Sequence, residues 1–264
     1  MSQTPTKPRL KLAVNGAAGR MGRRVMALAE ADEALEICCA IERADHPLVS
    51  RPLGPVTCTD HLTRGADAVI DFSGPAGTEP ILATAINDKT AMVIGTTALS
   101  KVTQAAIERA ASEIPIVQAA NFSVGVNVLL KLVAQAATAL GDAYDIEIVE
   151  AHHRFKADAP SGTALALAVS ICDATDRDLA TAVKHGRQGA DERQAGEIGM
   201  HALRLGDTVG EHAVHFGALG ETVTLAHSAH TRDTFSAGAL RAARWVAGRK
   251  PGLYTMADVL AGES

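Results

Sequence analysis

The residues best suited to chemistry lie in one 18-residue stretch, EIVEAHHRFKADAPSGTA, from Glu147 to Ala164. His152, His153 and Lys156 fall within a span of five residues there, in a chain whose net charge is −5. A histidine titrates near neutral pH and a lysine can donate a proton. The spacing therefore predicts a cationic loop that can both bind an anion and transfer a proton.

A helix is predicted to begin directly after this loop, near Pro160–Ser161. Ser161 is a good N-cap, and Gly162 and Thr163 would then present unpaired backbone N–H groups. The positive end of a helix favours negative charge. This helix start is therefore predicted to hold a carboxylate, with the histidines and Lys156 around it.

Two other interpretations of the same stretch stay open on spacing alone. Adjacent histidines can bind a metal ion, although Cys or carboxylate residues at the usual ligand spacing are missing nearby, and we expect no metal. The loop can also be merely a solvated charged loop. Six further histidines show no spacing that suggests chemistry and are assigned to surface or packing: His46, His61, His185, His201, His227 and His230. Glu211, His212 and His215 lie in a predicted strand whose alternation puts Glu211 and His215 on one face, and a role in subunit contact is undecided.

A second motif, Gly16–x–x–Gly19–x–x–Gly22, joins the first predicted strand to the first helix. A tight turn at Gly16 and small residues behind it let a pyrophosphate approach the backbone, and the helix N-terminus supplies N–H groups. Arg20 adds a positive charge at this place. The strand–turn–helix context favours dinucleotide binding over a glycine-rich turn that is only structural.

Glu42 stands twenty residues beyond Gly22, at the end of the second predicted strand, and Arg43 follows it. A carboxylate there suits the hydroxyls of an adenosine ribose, whereas an adjacent arginine can meet a 2′-phosphate. The pair therefore suits both NADH and NADPH.

Alternating strands and helices are predicted for the first 123 residues. The apolar strands are Leu10–Asn15, Glu36–Glu42, Ala66–Phe72, Ala91–Gly95 and Ile114–Ala120, and helices are predicted at Gly19–Glu30, Thr78–Asn87 and Ser100–Ser112. Continuous apolar strands between amphipathic helices indicate a parallel sheet covered on both faces.

The pattern changes in the second half of the chain. An apolar helix is predicted at Val124–Leu140, a strand with one wet face at Tyr144–Glu150, a helix at Ser161–Ile171 and a long surface loop at Asp173–Gly196. The strands Gly199–Leu205, Glu211–Phe216 and Glu221–Ala226 suggest a more open sheet with antiparallel pairs, and Phe235–Ala247 is predicted to be the last helix.

The composition excludes several classes of protein. With 47% hydrophobic and 21% charged residues among 264, the chain can bury a core and is not predominantly disordered. Its negative charge and 3% aromatic content argue against nucleic acid as a partner. The polar N-terminus and the absence of any stretch near membrane-spanning length predict no membrane association. Four cysteines without a C-x-x-C pair are interpreted as free thiols in the cytoplasm.

The 18-residue stretch resembles, position by position, the signature of the 4-hydroxy-tetrahydrodipicolinate reductase (dihydrodipicolinate reductase) family. The resemblance extends over nearly the whole chain, through GAAGRMG at 16–22, IER at 41–43, VIGTT at 93–97, AANFSVGVN at 119–127 and GDTVGEH at 206–212. It implies NAD(P)H-dependent reduction of 4-hydroxy-tetrahydrodipicolinate, a small dicarboxylate, to tetrahydrodipicolinate in the diaminopimelate route of lysine biosynthesis.

The resemblance also implies roles for single residues. His152 matches the catalytic proton donor and acceptor, Lys156 the proton donor, and His153, Gly162 and Thr163 the substrate-binding positions. The positions matching cofactor contacts are Gly16, Ala17, Ala18, Gly19, Arg20, Met21, Glu42, Arg43, Gly95, Thr96, Thr97, Ala119, Ala120, Asn121 and Phe122. Gly74 stands where many relatives carry Arg, and Phe155 where some carry a third His.

The domain organisation implied by the family is a Rossmann-type parallel sheet domain plus an α+β domain with an open mixed sheet. The first is predicted over residues 1–123, completed by 233–264, and binds the dinucleotide. The second is predicted over 124–232, binds the substrate and builds a homotetramer.

Two other functions compete with this one. A Rossmann dehydrogenase of an amino or dicarboxylic acid, such as an aspartate dehydrogenase, would not need the H-H-x-x-K-x-D-x-P-S-G-T run. A non-catalytic nicotinamide sensor could keep the glycine loop, but it has no reason to retain a proton donor beside an anion site.

Overall fold

A computed structural model describes residues 8–262 of the chain. It divides into two compact units, one formed by the residues up to Val124 and from Arg232 onward, the other by Gly125–Thr231. Each limit of the second unit differs by one residue from the predicted domain boundary.

The elements follow one another along the chain with these bounds. The strands are β1 (Leu10–Asn15), β2 (Leu35–Ile41), β3 (Pro52–Leu53), β4 (Val56–Thr59), β5 (Ala68–Asp71), β6 (Ala91–Ile94), β7 (Pro115–Gln118), β8 (Asp145–His152), β9 (Val183–His185), β10 (Ile198–Arg204), β11 (Gly210–Ala218), β12 (Glu221–Ala229) and β13 (Gly252–Tyr254). The helices are α1 (Arg20–Glu30), α2 (Pro75–Asp88), α3 (Lys101–Ala110), α4 (Val124–Leu140), α5 (Gly162–Thr175), α6 (Leu179–Ala182), α7 (Asp233–Val246) and α8 (Met256–Ala261), with a 3-10 turn at Gly141–Ala143.

The first unit is built on an eight-stranded sheet in the order β13-β7-β6-β5-β1-β2-β4-β3. Its described pairings are parallel except that of β3 with β4. Alternate residues of β1 belong to different cores: Leu12 packs with Val25 of α1, whereas Ala13 packs with Ile81 of α2. Helices thus cover both faces of the sheet, as the continuous apolar strands predict.

The second unit has a five-stranded mixed sheet in the order β12-β11-β8-β10-β9. β10 runs parallel to β8 and β9, whereas β11 runs antiparallel to β8 and β12. Leu129 of α4 and Leu167 of α5 join Ile148 and Phe216 in one core, on one face of this sheet. A parallel Rossmann-type sheet together with an open mixed sheet confirms the predicted fold class.

Several short elements are additions to the sequence-based prediction. The predicted loop Asp173–Gly196 contains α6 and β9, and β13 follows the last predicted helix and pairs with β7. Elements of three or four residues are too short to show a hydrophobic period, so their tertiary partners decide their conformation.

The expectation that no stretch approaches membrane-spanning length is wrong. The helical stretch Val124–Ala143 is long and apolar enough to cross a membrane, by length and composition only. One side of it carries Leu129, Val133 and Ala137 into the core of the second unit.

Candidate active site

The glycine loop between β1 and α1 is tightly enclosed. Gly16 has φ +75°, and a Cβ at this residue would lie 2.7 Å from the Phe72 carbonyl oxygen. A Cβ on Gly22 would overlap the carbonyl oxygen of Gly16. Only glycine fits at these two positions, so the chain can turn tightly between β1 and α1.

Helix α1 begins at this loop, with Gly19 at its N-cap. A glycine has no side chain to accept from the first N–H groups of the helix, so these groups and the positive end of the helix dipole remain available. Arg20 is exposed at the first helical position, Met21 and Ala18 are half-buried, and Ala17 is buried. The loop has the features of a site for a pyrophosphate.

Glu42 lies against the same loop, because the Ala18 N–H donates to Glu42 Oε1 at 2.8 Å. Arg43 forms an ion pair with Asp45, with Nε 2.9 Å from Oδ1, and both side chains are about three-quarters exposed. The carboxylate is thus held beside the predicted pyrophosphate site, whereas the guanidinium is engaged with a solvent-exposed partner.

The remaining predicted cofactor residues follow the carboxyl ends of β6 and β7. Gly95, Thr96 and Thr97 follow β6, and Ala119, Ala120, Asn121 and Phe122 follow β7. A cavity of about 400 Å³ is lined in part by Thr96, Thr97, Ala119 and Ala120. Ligands of open parallel sheets bind outside the carboxyl ends of the strands, where these residues lie.

The packing behind these loops is aromatic. The rings of Phe72 and Phe122 meet edge to face with centroids 5.8 Å apart. A Cβ on Gly95 would overlap the Phe72 ring, so glycine is required for this close approach.

A fully buried carboxylate, Asp71, lies behind the glycine loop and was not predicted. Its Oδ1 accepts from Asn15 Nδ2 at 3.0 Å and from the backbone N–H and hydroxyl of Ser73 at 3.0 and 2.6 Å. Its Oδ2 accepts from the Thr78 hydroxyl at 2.7 Å. Because Asn15 precedes Gly16, this network fixes the end of β1 from which the glycine loop starts.

In the second unit, the cationic loop starts at His152, the last residue of β8. His152 Nδ1 lies 2.6 Å from Oε2 of Glu150, whose side chain is fully buried. The other carboxylate oxygen accepts from the Ser161 N–H at 3.0 Å. Glu150 therefore joins the strand that ends in His152 to the N-cap of α5.

Arg204 completes the set of donors around Glu150. Its Nη1 and Nη2 donate to the two carboxylate oxygens at 2.9 and 2.8 Å. The same guanidinium also donates to the carbonyl oxygens of Lys156, Asp158 and Leu203. Burial would raise the pKa of Glu150, but hydrogen bonds from Arg204 and His152 hold it below its usual value.

A third histidine, His212 of β11, lies beside His152, with ring centroids 5.2 Å apart in an edge-to-face contact. Its Nε2 is 3.1 Å from the hydroxyl of Ser161, which also caps α5 by accepting from the Ala164 N–H. Burial lowers the pKa of His212 to about 4, so this ring is neutral at physiological pH. Burial also lowers the pKa of His152, against the effect of the Glu150 carboxylate.

Lys156 lies in the loop between β8 and α5 and is mostly buried, with one fifth of its side chain exposed. Its Nζ is 2.9 and 2.8 Å from the two oxygens of Asp158. His153 is half-buried, and no described residue offers its buried Nδ1 a hydrogen bond. Phe155 is 84% exposed.

Ser161 is the N-cap of α5, as predicted, and the helix starts at Gly162 and Thr163. Gly162 is exposed, and a Cβ there would meet open space. Within residues 8–262, no group of three or more metal-ligating side chains is placed to hold a metal ion.

The sequence-based prediction missed Glu150, Arg204 and His212. One signal was present for Glu150, because it shares its strand face with the apolar Ile146 and Ile148 and a buried glutamate requires partners. The other two were missed because their partners are remote in the chain: Arg204 on β10 bonds to Glu150 from 54 positions away, and His212 on β11 bonds to the Ser161 hydroxyl from 51 positions away.

Comparison with known proteins gives one consistent family. Residues 10–122 match the family model described as dihydrodipicolinate reductase, N-terminus, and residues 125–260 match the corresponding C-terminus. The 4-hydroxy-tetrahydrodipicolinate reductase of Alkalilimnicola ehrlichii is 47% identical over 263 residues, which cover 95% of this chain and 98% of that protein. The enzyme of the same name from Geotalea uraniireducens is 44% identical with the same coverage.

Among solved structures, the chain is similar to the dipicolinate-bound dihydrodipicolinate reductase of Paenisporosarcina sp. TG-14. The TM-score is 0.74 at 21% sequence identity, and the match covers 94% of this chain and 97% of that one. This likeness supports the two-unit fold.

Proposed function

The chain belongs to the dihydrodipicolinate reductase family, and on that premise we propose which residues bind substrate, bind cofactor and transfer the proton. It is an NAD(P)H-dependent oxidoreductase that reduces 4-hydroxy-tetrahydrodipicolinate to tetrahydrodipicolinate in the diaminopimelate route of lysine biosynthesis. The proposal concerns the residue roles, the choice of nucleotide and the assembly.

The proposed proton-transfer residues are His152, as donor and acceptor, and Lys156, as donor to the reduced substrate. The observation that carries this proposal is the guanidinium of Arg204. It bonds both to Glu150, the partner of His152, and to the Lys156 carbonyl oxygen. The ring of His152, through Glu150, and the backbone of Lys156 are therefore joined by one mostly buried guanidinium, which supports a joint role in proton transfer.

The substrate's two carboxylates are proposed to bind at His153 and at the start of α5. Gly162 and Thr163 stand at the positive end of a 14-residue helix, where negative charge is favoured. The buried Nδ1 of His153, which no described residue engages, supports a role in holding a ligand.

The nucleotide is proposed to bind along the carboxyl edge of the first unit's sheet. The residues are those predicted: Gly16 to Met21 for the pyrophosphate, Glu42 and Arg43 for the adenosine ribose, and Gly95–Thr97 with Ala119–Phe122 for the remainder. The glycine loop suits such a group, because a turn in which a Cβ at Gly16 or Gly22 would overlap backbone atoms can be this tight only with glycine. When bound, the reduced nicotinamide supplies the hydride.

Both NADH and NADPH are proposed as cofactors. The Glu42 carboxylate lies against the glycine loop and suits the ribose hydroxyls of NADH. Arg43 can pair with the 2′-phosphate of NADPH once it leaves the exposed Asp45. KM values for the two are expected within about tenfold of each other.

The test follows nicotinamide absorbance while the enzyme, NADPH or NADH, and the condensation product of pyruvate and aspartate semialdehyde react. Wild-type activity with both nucleotides, and its loss in Lys156→Ala and His152→Ala at near-normal NADPH affinity, would support the assignment. Pyridine-2,6-dicarboxylate should compete with the substrate. Competition only against the nucleotide would contradict the proposed substrate site.

A homotetramer located in the cytoplasm is also proposed. The five-stranded sheet has helices of its own core on one face, and Leu203 and Leu205 at the end of β10 are each half exposed. Apolar side chains left on such a surface support association. Light scattering that gives the mass of a single chain would contradict the tetramer.

A further inference from the structure

The carboxylate of Glu150 is fully buried, and each of its oxygens has two donors. Oε1 accepts from Arg204 Nη2 and from the Ser161 N–H, at 2.8 and 3.0 Å. Oε2 accepts from Arg204 Nη1 at 2.9 Å and lies 2.6 Å from His152 Nδ1. A bidentate guanidinium is the arrangement that best stabilises a buried carboxylate in its ionised form.

Arg204 uses all five of its N–H groups. Two of them bind Glu150, and the other three bind the carbonyl oxygens of Lys156, Leu203 and Asp158. A guanidinium has five donors in a fixed planar geometry. Arg204 is therefore held on every side, and it fixes the orientation of Glu150 together with the loop that carries Lys156.

This arrangement determines which nitrogen of His152 carries a proton. An ionised carboxylate only accepts hydrogen bonds, so the contact with Glu150 requires N–H at Nδ1. In the neutral ring Nε2 is then unprotonated. A Cβ at Gly210 would lie 3.1 Å from Nε2, so the glycine keeps space beside this nitrogen.

The other polar neighbours of His152 are bonded to different partners and do not compete with Glu150 for its Nδ1. His212 meets it edge to face and bonds to the Ser161 hydroxyl instead. Lys156 is paired with Asp158. The ionisable groups that face His152 are thus Glu150 on its own strand, Lys156 in the following loop, Arg204 on β10 and His212 on β11.

We propose that Glu150 and Arg204 are positioning residues of the reaction, which hold His152 with its proton on Nδ1, so that the unprotonated Nε2 accepts a proton from the substrate and, as the imidazolium, can return it. The proposal rests on the role of His152 proposed above. Neither Glu150 nor Arg204 needs to touch the substrate. Their effect is transmitted through the orientation and tautomer of one imidazole ring.

The first test compares Glu150→Gln with Glu197→Gln. Glu197 is the matched control, because it is also mostly buried and ion-paired with an arginine, Arg187, but bonds to no histidine. We expect kcat to fall by about 10²-fold or more in Glu150→Gln, with the NADPH Kd within about twofold of wild type. The control should keep kcat within about threefold of wild type, and a kcat loss below threefold in Glu150→Gln would overturn the proposal.

The pH profile separates positioning from a merely structural role. Burial lowers the pKa of His152 and the Glu150 carboxylate opposes this, so loss of the carboxylate should move the acidic limb of kcat to lower pH. A reduced kcat with an acidic limb at the wild-type pH would contradict the proposal.

Arg204→Lys keeps the charge but not the planar geometry, and it should lower kcat by about tenfold. Wild-type kcat in that variant would remove Arg204 from the proposal.

The tautomer can be observed in the wild-type enzyme, which keeps the proposal testable if Glu150→Gln does not fold. In an enzyme with ¹⁵N-labelled histidine, the His152 signals are identified by their loss in His152→Asn. At a pH where the ring is neutral, we expect a protonated Nδ1 and an unprotonated Nε2. The reverse pattern would overturn the proposal.

His152→Asn also distinguishes failure of the positioning inference from failure of the proposed function. Wild-type kcat in that variant would contradict both the proton-transfer role of His152 and the positioning role of Glu150 and Arg204. A large loss in His152→Asn, with wild-type kcat in Glu150→Gln, would contradict the positioning inference alone. If both hold, adding Glu150→Gln to His152→Asn should lower kcat by no more than about threefold.

Discussion

Asp71 in the first unit and Glu150 in the second are both fully buried carboxylates, but their partners differ in kind. Asp71 accepts from an amide, a backbone N–H and two hydroxyls, supplied by Asn15, Ser73 and Thr78. Glu150 accepts from the guanidinium of Arg204, an imidazole and a backbone N–H. One network is built from neutral donors, the other around a cation.

The difference between the two networks matches the roles proposed for the two units, nucleotide binding in the first and proton transfer in the second. The network at Asp71 holds the end of β1 and the start of the glycine loop in place, and none of its donors changes its protonation near neutral pH. The network at Glu150 includes His152, which does. A neutral network suits a binding loop, whereas a charged one can fix both the orientation and the tautomer of a group that transfers protons.

The largest effect is expected for a variant that tests whether proton transfer belongs to the second unit and nucleotide binding to the first. Lys156→Ala should lower kcat by about 10²–10⁴-fold, because it removes the proposed proton donor from the second unit. The NADPH Kd should stay within about twofold of wild type, because the residues proposed to bind the nucleotide belong to the first unit. Stopped-flow turnover and fluorescence titration of NADPH measure the two quantities.

A suitable control for that variant is Lys184→Ala, which removes a lysine that is ion-paired with Asp191 in the same unit. It should leave kcat unchanged. Loss of NADPH binding in Lys156→Ala, without loss of turnover at saturating NADPH, would contradict the division.

The second prediction replaces each buried carboxylate with its isosteric amide. Asn at position 71 can keep the three donors at Oδ1 and donate to the Thr78 hydroxyl, so the free energy of unfolding should change by about 1 kcal/mol or less. Glu150→Gln leaves the mostly buried Arg204 without its counter-charge, which should cost about 3–5 kcal/mol. Urea unfolding followed by circular dichroism compares them.

Asp71→Ala completes the comparison, because it removes the acceptor of the Ser73 N–H and of the Thr78 hydroxyl, whereas Asn15 Nδ2 and the Ser73 hydroxyl keep the carbonyl oxygens of Gly77 and Gly74 at 3.1 and 3.3 Å. It should destabilise the protein by several times the effect of Asp71→Asn, at roughly 1–3 kcal/mol for each buried donor left unpaired. Equal costs for the two amide replacements would mean that the cation at Glu150 has no special role in stability.

The sequence predicts features that depend on neighbouring residues and misses contacts between residues that are far apart in the chain. The strand β1 and the helix α4 have the predicted bounds, because each has a hydrophobic pattern long enough to read locally. Ser161 is the predicted N-cap, since capping depends on residues three positions away. The partners of the buried carboxylates could not be predicted, because Asn15 lies 56 positions from Asp71 and Arg204 lies 54 from Glu150.

A smaller effect concerns pH and is confined to the second unit. The pKa of His212 is lowered by burial to about 4, whereas in the unfolded chain it is near 6.5. Between these two pH values His212 is protonated in the unfolded state but neutral in the folded state. Its contribution to the free energy of unfolding is therefore fully present above pH 6.5 and is lost as the pH falls toward 4. His152, whose pKa is also lowered by burial, acts in the same direction.

Replacing His212 with Asn should remove much of this decline, which is of the order of 3 kcal/mol down to pH 4 and about 2 kcal/mol between pH 7.5 and pH 5. His185→Asn is the control, because His185 is an exposed histidine of the same unit. Urea unfolding at pH 5 and pH 7.5 gives the slope for each protein. If His212→Asn retains the wild-type difference between the two pH values, the decline has another origin.

The smallest expected effect comes from the exposed pair of Arg43 and Asp45, a carboxylate–arginine contact with neither the burial nor the geometry of Glu150 and Arg204. Exposed ion pairs contribute about 0–1 kcal/mol. Asp45→Asn should therefore release Arg43 for the 2′-phosphate and lower the NADPH Kd by at most about fivefold. The NADH Kd should stay within about twofold, since that nucleotide has no 2′-phosphate. Fluorescence titration at low and high salt checks both, and the gain for NADPH should shrink with salt because the contact is exposed. An equal change for both nucleotides would mean that Asp45 shapes the loop after β2 and does not compete with the phosphate for Arg43.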